Sequence, residues 1–161
     1  GMAICFNEND VRCMGRDAAG VRGISLNEGD YVVGAEKMEE GKTLLTLTEN
    51  GYGKRTALPE YLRTGPDGEK IPQSRGGKGL KNYNITPKTG NIAGCRVVGD
   101  NDDVMIIENG GVIIRVPAAS INVYKRDVQG VIVMRVDEGN KVVSLERVEQ
   151  DEELEAQETQ E

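Results

Sequence analysis

The chain has 161 residues, enough for one ordinary domain or a short array of repeats and too few for two large independent cores. Hydrophobic residues make up 37% and aromatics only 4%, while Gly fills 21 positions, about twice ordinary usage, so a core of Val, Ile, Leu and Met in short, tightly turned strands is expected. The formal charge of −7 sits at the end: residues 149–161 hold seven acids and no base, leaving 20 basic and 20 acidic residues elsewhere, so an anionic partner for the body is not excluded.

In chain order, the first element is a strand over Met2-Ala3-Ile4-Cys5-Phe6. Gly15-Arg16-Asp17-Ala18-Ala19-Gly20-Val21 follows, then a turn at Glu28-Gly29-Asp30 that leads into Val32-Val33. Thr43 through Thr48 and the residues after Glu49-Asn50-Gly51 read as a hairpin, since Asn-Gly between apolar runs suits a type I′ turn, and the return strand ends at Pro59. Residues 63–72 are rich in Gly, Pro and charge and are expected to form a mobile loop. Gln73-Ser74-Arg75-Gly76-Gly77-Lys78-Gly79 comes next, with a turn at Lys88-Thr89-Gly90-Asn91. A second hairpin is expected from Val104-Met105-Ile106-Ile107, Glu108-Asn109-Gly110 and the strand Val112 to Val116, which ends at Pro117. Lys125-Arg126-Asp127-Val128-Gln129-Gly130-Val131, the turn Glu138-Gly139-Asn140 and Val142-Val143 close the body.

These elements repeat. Arg16, Arg75 and Arg126 each stand four residues before a Gly, at intervals of 59 and 51 residues, close to the unit length of propeller-type arrays. The expected fold is all-β: a propeller-like array of four-stranded blades, partial at two to three blades, over residues 2–38, 39–99 and 100–148. Two to three blades leave strand edges open to self-association. The acidic stretch 149–161 is expected to be disordered.

Enzymatic chemistry finds no footing in these residues. Without His there is no Ser-His or Cys-His pair, and no Walker loop is present, so no catalytic residue is assigned. Cys5, Cys13 and Cys95 lack a CxxC spacing and are read as reduced thiols; Asp102-Asp103 is read as a solvated turn, and no metal or cofactor site is expected. The five tyrosines are read as packing or rim residues. No apolar run approaches the ~20 residues of a membrane span and no signal pattern opens the chain, so a cytoplasmic protein without a membrane partner is expected.

In Gln73 to Gly79, two cations flank consecutive glycines, an arrangement that can lay backbone N–H groups and positive charge along a row of phosphates. The same segment resembles the box motif of the C-terminal domains of DNA gyrase A subunits, matching six of seven positions, with Ser74 where Arg is usual. Glu49 to Thr56 and Val123 to Val143 also resemble later blades of that family, and the likeness covers nearly all of residues 2–148. The resemblance implies a β-pinwheel of four-stranded Greek-key blades over residues 1–148 that binds and bends duplex DNA through its backbone. The parent would be an ATP-dependent type IIA topoisomerase, with the catalytic tyrosine, ATP and Mg in other domains; its partners would be a gyrase B subunit, plus a second A subunit.

Gln73, Arg75, Gly76, Gly77, Lys78 and Gly79, with Arg16, Arg22, Lys54, Arg55, Lys81, Lys125 and Arg126, are the expected DNA-contacting rim. Two alternatives stay open: the equivalent domain of topoisomerase IV, which usually lacks a well-formed box, and a propeller that docks protein. The acidic tail either solvates the end of the chain or competes with DNA for the rim.

Overall fold

The structure is a computed structural model that describes residues 1–149, so the tail beyond Glu149 lies outside the described residues. Among the described residues there are strands and short 3-10 turns and no α-helix. The strands are β1 (Met2–Ala3), β2 (Thr43–Thr48), β3 (Tyr52–Ala57), β4 (Arg63–Thr64), β5 (Lys70–Ile71), β6 (Leu80–Lys81), β7 (Ile92–Val98), β8 (Asp103–Glu108), β9 (Ile113–Pro117), β10 (Val131–Ile132) and β11 (Val142–Val148).

Two sheets dominate, one ordered β10-β3-β2-β7 and the other β11-β8-β9, all antiparallel. Each is built on a hairpin, β2–β3 or β8–β9, whose partner β7 or β11 comes from further along the chain. The fourth strand of the first sheet, β10, is delivered by the next copy of the repeat, and β1 receives β6 in the same way, Ala3 opposite Leu80 as Gly53 is opposite Val131. Leu45 and Leu47 of β2, Val98 of β7, Val104 and Ile106 of β8, and Val142 and Leu145 of β11 pack into one core with Ala118, Ile121 and Met134. Gly94 lets β11 approach β7, since a Cβ there would stand 2.5 Å from Leu145. A 3-10 turn follows the return strand in every copy, at Glu8–Asp10, Leu58–Tyr61 and Ala118–Ser120.

Several expectations change in detail. Neither hairpin turn is type I′: Gly51 (φ +82°) and Gly111 (φ +93°) alone take positive φ, and their N–H groups bond to the carbonyls of Thr48 and Glu108. That is a type I turn closed by a left-handed Gly. Residues 63–72 form a small hairpin, β4–β5, in place of an irregular loop. Val32-Val33 lies outside any strand, 59% and 40% exposed, because no described segment stands beside it as β2 stands beside β7. Asp102 and Asp103 are buried and not solvated: Asp102 accepts from the Gly99 N–H and pairs with Arg147, and Asp103 pairs with Arg115. Cys5 and Cys95 are partly buried and Cys13 is exposed, all three as free thiols.

Candidate nucleic-acid interface

The loop Gln73–Gly79 is fixed at both ends on the strand that opens the chain. The Gln73 N–H donates to the Cys5 carbonyl at 2.7 Å, and Leu80 pairs with Ala3. Seven residues therefore arch over the short stretch from Cys5 to Ala3. The Gln73 side chain is not a rim group but an anchor, its Nε2 donating to the Tyr61 carbonyl at 2.9 Å. Gly76 (φ +84°) turns the arch and Gly79 (φ +77°) brings it down, where a Cβ would overlap the Ala3 carbonyl.

Tyr124–Gly130 repeats this geometry on β3. The Tyr124 N–H donates to the Arg55 carbonyl at 2.8 Å, Val131 pairs with Gly53, and a Cβ on Gly130 would overlap the Gly53 carbonyl. Met14–Gly20 takes the corresponding place in the first copy, with Gly20 at φ +82°.

Consecutive loops are cross-linked. The Gly76 N–H donates to the Gly23 carbonyl (2.8 Å), Ser25 N–H to the Gly77 carbonyl (2.9 Å) and Ser25 Oγ to the Gly76 carbonyl (2.7 Å). At the next joint the Asn84 N–H reaches the Val128 carbonyl at 3.4 Å. Arg75 donates through Nε to the Asp10 carbonyl (2.9 Å) and through Nη1 to the Arg22 carbonyl (2.6 Å), and Arg126 donates through Nη1 to the Lys81 carbonyl (2.7 Å). The result is a row of three loops, the second and third each tied to the stretch of chain that follows the loop before it.

Of the cations expected on the rim, Arg16, Arg22, Lys78, Lys81 and Lys125 are exposed on or beside these loops. Gln73–Gly79 carries two cations and no acid, whereas Asp17 and Asp127 stand in the other two loops at the place of Gly76. Lys54 and Arg55 are corrections. Lys54 is fully buried, its ammonium donating to the carbonyls of Lys125 (2.7 Å) and Arg126 and lying 5.2 Å from the Tyr83 ring centroid. Burial lowers its pKa from the ordinary lysine value to about 8, with Asp127 opposing the shift. Arg55 is 6% exposed and holds the Ile121 carbonyl and the Asp100 carboxylate, each at 2.6 Å. Lys54 serves the third loop from beneath, Arg55 ties the end of the 3-10 turn to Asp100, and both are buried away from a surface phosphate.

Sequence reasoning missed the support under the loops: Tyr83, whose hydroxyl donates to the Gln129 carbonyl, and Asn82, which bridges Tyr61 and Thr46. Burial raises the Tyr61 pKa to about 12 and pushes that of Tyr83 up as well, so both phenols stay neutral donors. The available signal was the polar set Thr46, Thr48, Lys54 and Thr56, all buried on the face of the hairpin that alternation assigns to water.

A β array whose units each place a glycine-bearing loop on the unit before defines a propeller-type repeat protein. The family described as the DNA gyrase C-terminal domain, a β-propeller, matches residues 1–37, 42–71, 69–99 and 102–149, and the chain belongs to that family. It is 42% identical over 150 residues to the DNA gyrase A protein of Staphylococcus epidermidis (strain ATCC 12228 / FDA PCI 1200), covering 92% of this chain and 16% of that protein. Its counterpart in Escherichia coli (strain K12) is 39% identical over 148 residues, covering 92% and 16%. The chain thus spans about one sixth of the curated relatives it matches. Among solved structures, a DNA gyrase A C-terminal domain superposes with a TM-score of 0.80 at 28% identity, covering 91% of this chain and 47% of that one. The C-terminal domain of a DNA topoisomerase IV superposes with a TM-score of 0.81 at 27% identity, covering 99% and 48%.

Proposed function

We propose that this chain binds duplex DNA through its phosphate backbone and bends it along the row of three loops, as a wrapping module of a gyrase-type topoisomerase. The observation that carries the reading is the row itself: loops each tied by main-chain bonds to the stretch that follows the loop before, with Arg16, Arg22, Lys78, Lys81 and Lys125 exposed on or beside them. Cations carried on repeated loops suit the repeated charge of a duplex, and contacts to phosphate carry no base code, so preference among sequences follows bendability. Within a holoenzyme the wrap would support ATP-dependent negative supercoiling in the cytoplasm. The partners there would be a gyrase B subunit, plus a second A subunit, with ATP and Mg held in other domains.

The topoisomerase IV reading is second. The comparable superposition on that domain supports it, while the two cations and paired glycines of Gln73–Gly79 favour gyrase. The test is fluorescence anisotropy with a labelled duplex of about 40 base pairs, wild type beside a Lys78→Glu, Lys81→Glu double variant. Binding that the double variant abolishes supports the proposal. Absence of binding by the wild type at low salt favours a protein-docking module instead.

A further inference from the structure

We infer that Arg75 and Arg126 are positioning residues that fix the spacing of consecutive loops, and with it the curvature of bound DNA, while phosphates are met by the freely exposed cations around them. The inference rests on the DNA-binding reading above and reassigns two side chains that sequence places among the phosphate contacts.

The two guanidiniums do the same thing at two joints. Arg22 and Lys81, whose carbonyls they hold at 2.6 Å and 2.7 Å, stand at matching places, each two residues beyond the glycine that ends its loop. Arg75 adds a second strut to the Asp10 carbonyl, at the end of the 3-10 turn before the first loop. Hydrogen bonds from a charged donor to main-chain carbonyls are among the stronger ones, and Arg has the rigid fork to hold two at once. The guanidinium cannot swing toward a phosphate without releasing the carbonyl it holds beside the neighbouring loop, and the Nε of Arg126 is buried.

The joints differ in a way that makes the struts matter. Between the first and second loops, main-chain bonds from Gly76 and Ser25 share the task with Arg75. Between the second and third, the main-chain link is the single 3.4 Å bond from Asn84, and two side chains, Arg126 on the Lys81 carbonyl and Tyr83 on the Gln129 carbonyl, share the rest of the joint. Arg16 provides an internal control. It occupies the same place in the first loop, yet it is exposed and makes no such bond among the described residues.

Conservative variants separate the two roles, because Lys keeps the charge and loses the fork. On a duplex of about 40 base pairs labelled at both ends, Arg75→Lys and Arg126→Lys are expected to lower end-to-end energy transfer in the saturated complex. Their salt slope should match wild type. Lys78→Ala should do the reverse, flattening log K against log salt by about one unit with the bend retained. Amide exchange reads the strut without DNA: Arg75→Lys should speed exchange at Gly76 and Ser25 about tenfold or more, with the Leu45 and Val104 amides unchanged as the folding control. Wild-type bend and wild-type exchange in Arg75→Lys would overturn the inference, as would an Arg75→Ala variant that flattens the slope as Lys78→Ala does. If wild type binds no DNA, the function fails, and exchange alone still decides the strut.

Discussion

The ammonium of Lys54 lies 5.2 Å from the centroid of the Tyr83 ring, and between them the two side chains hold three carbonyls of one loop, those of Lys125, Arg126 and Gln129. The corresponding positions in the other return strands are Ile4 and Ile114, so among the described residues only this loop rests on a buried lysine.

That charge makes stability depend on pH. Burial lowers the Lys54 pKa to about 8, against about 10.4 in an unfolded chain. Above pH 8 the unfolded state therefore binds more protons than the folded one, and stability rises with pH; below 8 the full penalty of burying the charge is present. The span is about 3 kcal/mol at most. Tyr61 and Tyr83, both raised, oppose the trend only above about pH 10, where unfolded phenols ionise. Burial also raises the Cys5 and Cys95 thiols, which lowers stability across the same window, so urea midpoints at several pH values between 8 and 10 should rise for wild type relative to Lys54→Met. Parallel curves would contradict the assignment.

Three glycines at one place in the repeat should respond unequally to alanine. Gly20, Gly79 and Gly130 all have positive φ, but only the last two face a main-chain carbonyl where a Cβ would go. Gly20→Ala carries the left-handed cost alone, about 1 kcal/mol, and Gly79→Ala or Gly130→Ala about 3 kcal/mol or more, because the paired strand must also move. Denaturant midpoints of the three variants check the order.

Arg55 and Asp100 form an asymmetric pair, with side chains 7% and 79% exposed. Arg55→Ala removes the donor to the Ile121 carbonyl and empties a buried space, a loss of about 3 kcal/mol. Asp100→Asn keeps an acceptor in water and should cost about 1 kcal/mol or less. Equal losses in thermal or denaturant unfolding would contradict this division.

The repeat was legible because its signals are local. Positive-φ glycines at Gly20, Gly79 and Gly130, and turns at Gly29, Gly90 and Gly139, are fixed by residues a few positions away. The supports under the loops were not legible, because Leu45-Thr46-Leu47-Thr48 reads as a strand with one wet face. Tyr61, Asn82 and Tyr83 arrive from distant sequence to cover that face and bury Lys54 with it, while Arg55, opposite Leu45, is buried on the other face. Val32-Val33 fails as a strand for the converse reason, since alternation cannot supply the neighbour a strand needs. The Arg63–Ile71 hairpin was hidden because it has only two residue pairs and its strands carry little apolar pattern.

The measurement that bears most directly on the central claim is the salt dependence of binding to a duplex of about 40 base pairs. If about five of the exposed cations meet phosphates, log K should fall with log salt at a slope of about −4 to −5, and Lys78→Ala should flatten it by about one unit. A slope near zero, or one that Lys78→Ala leaves untouched, would contradict the assignment of DNA to the row of loops.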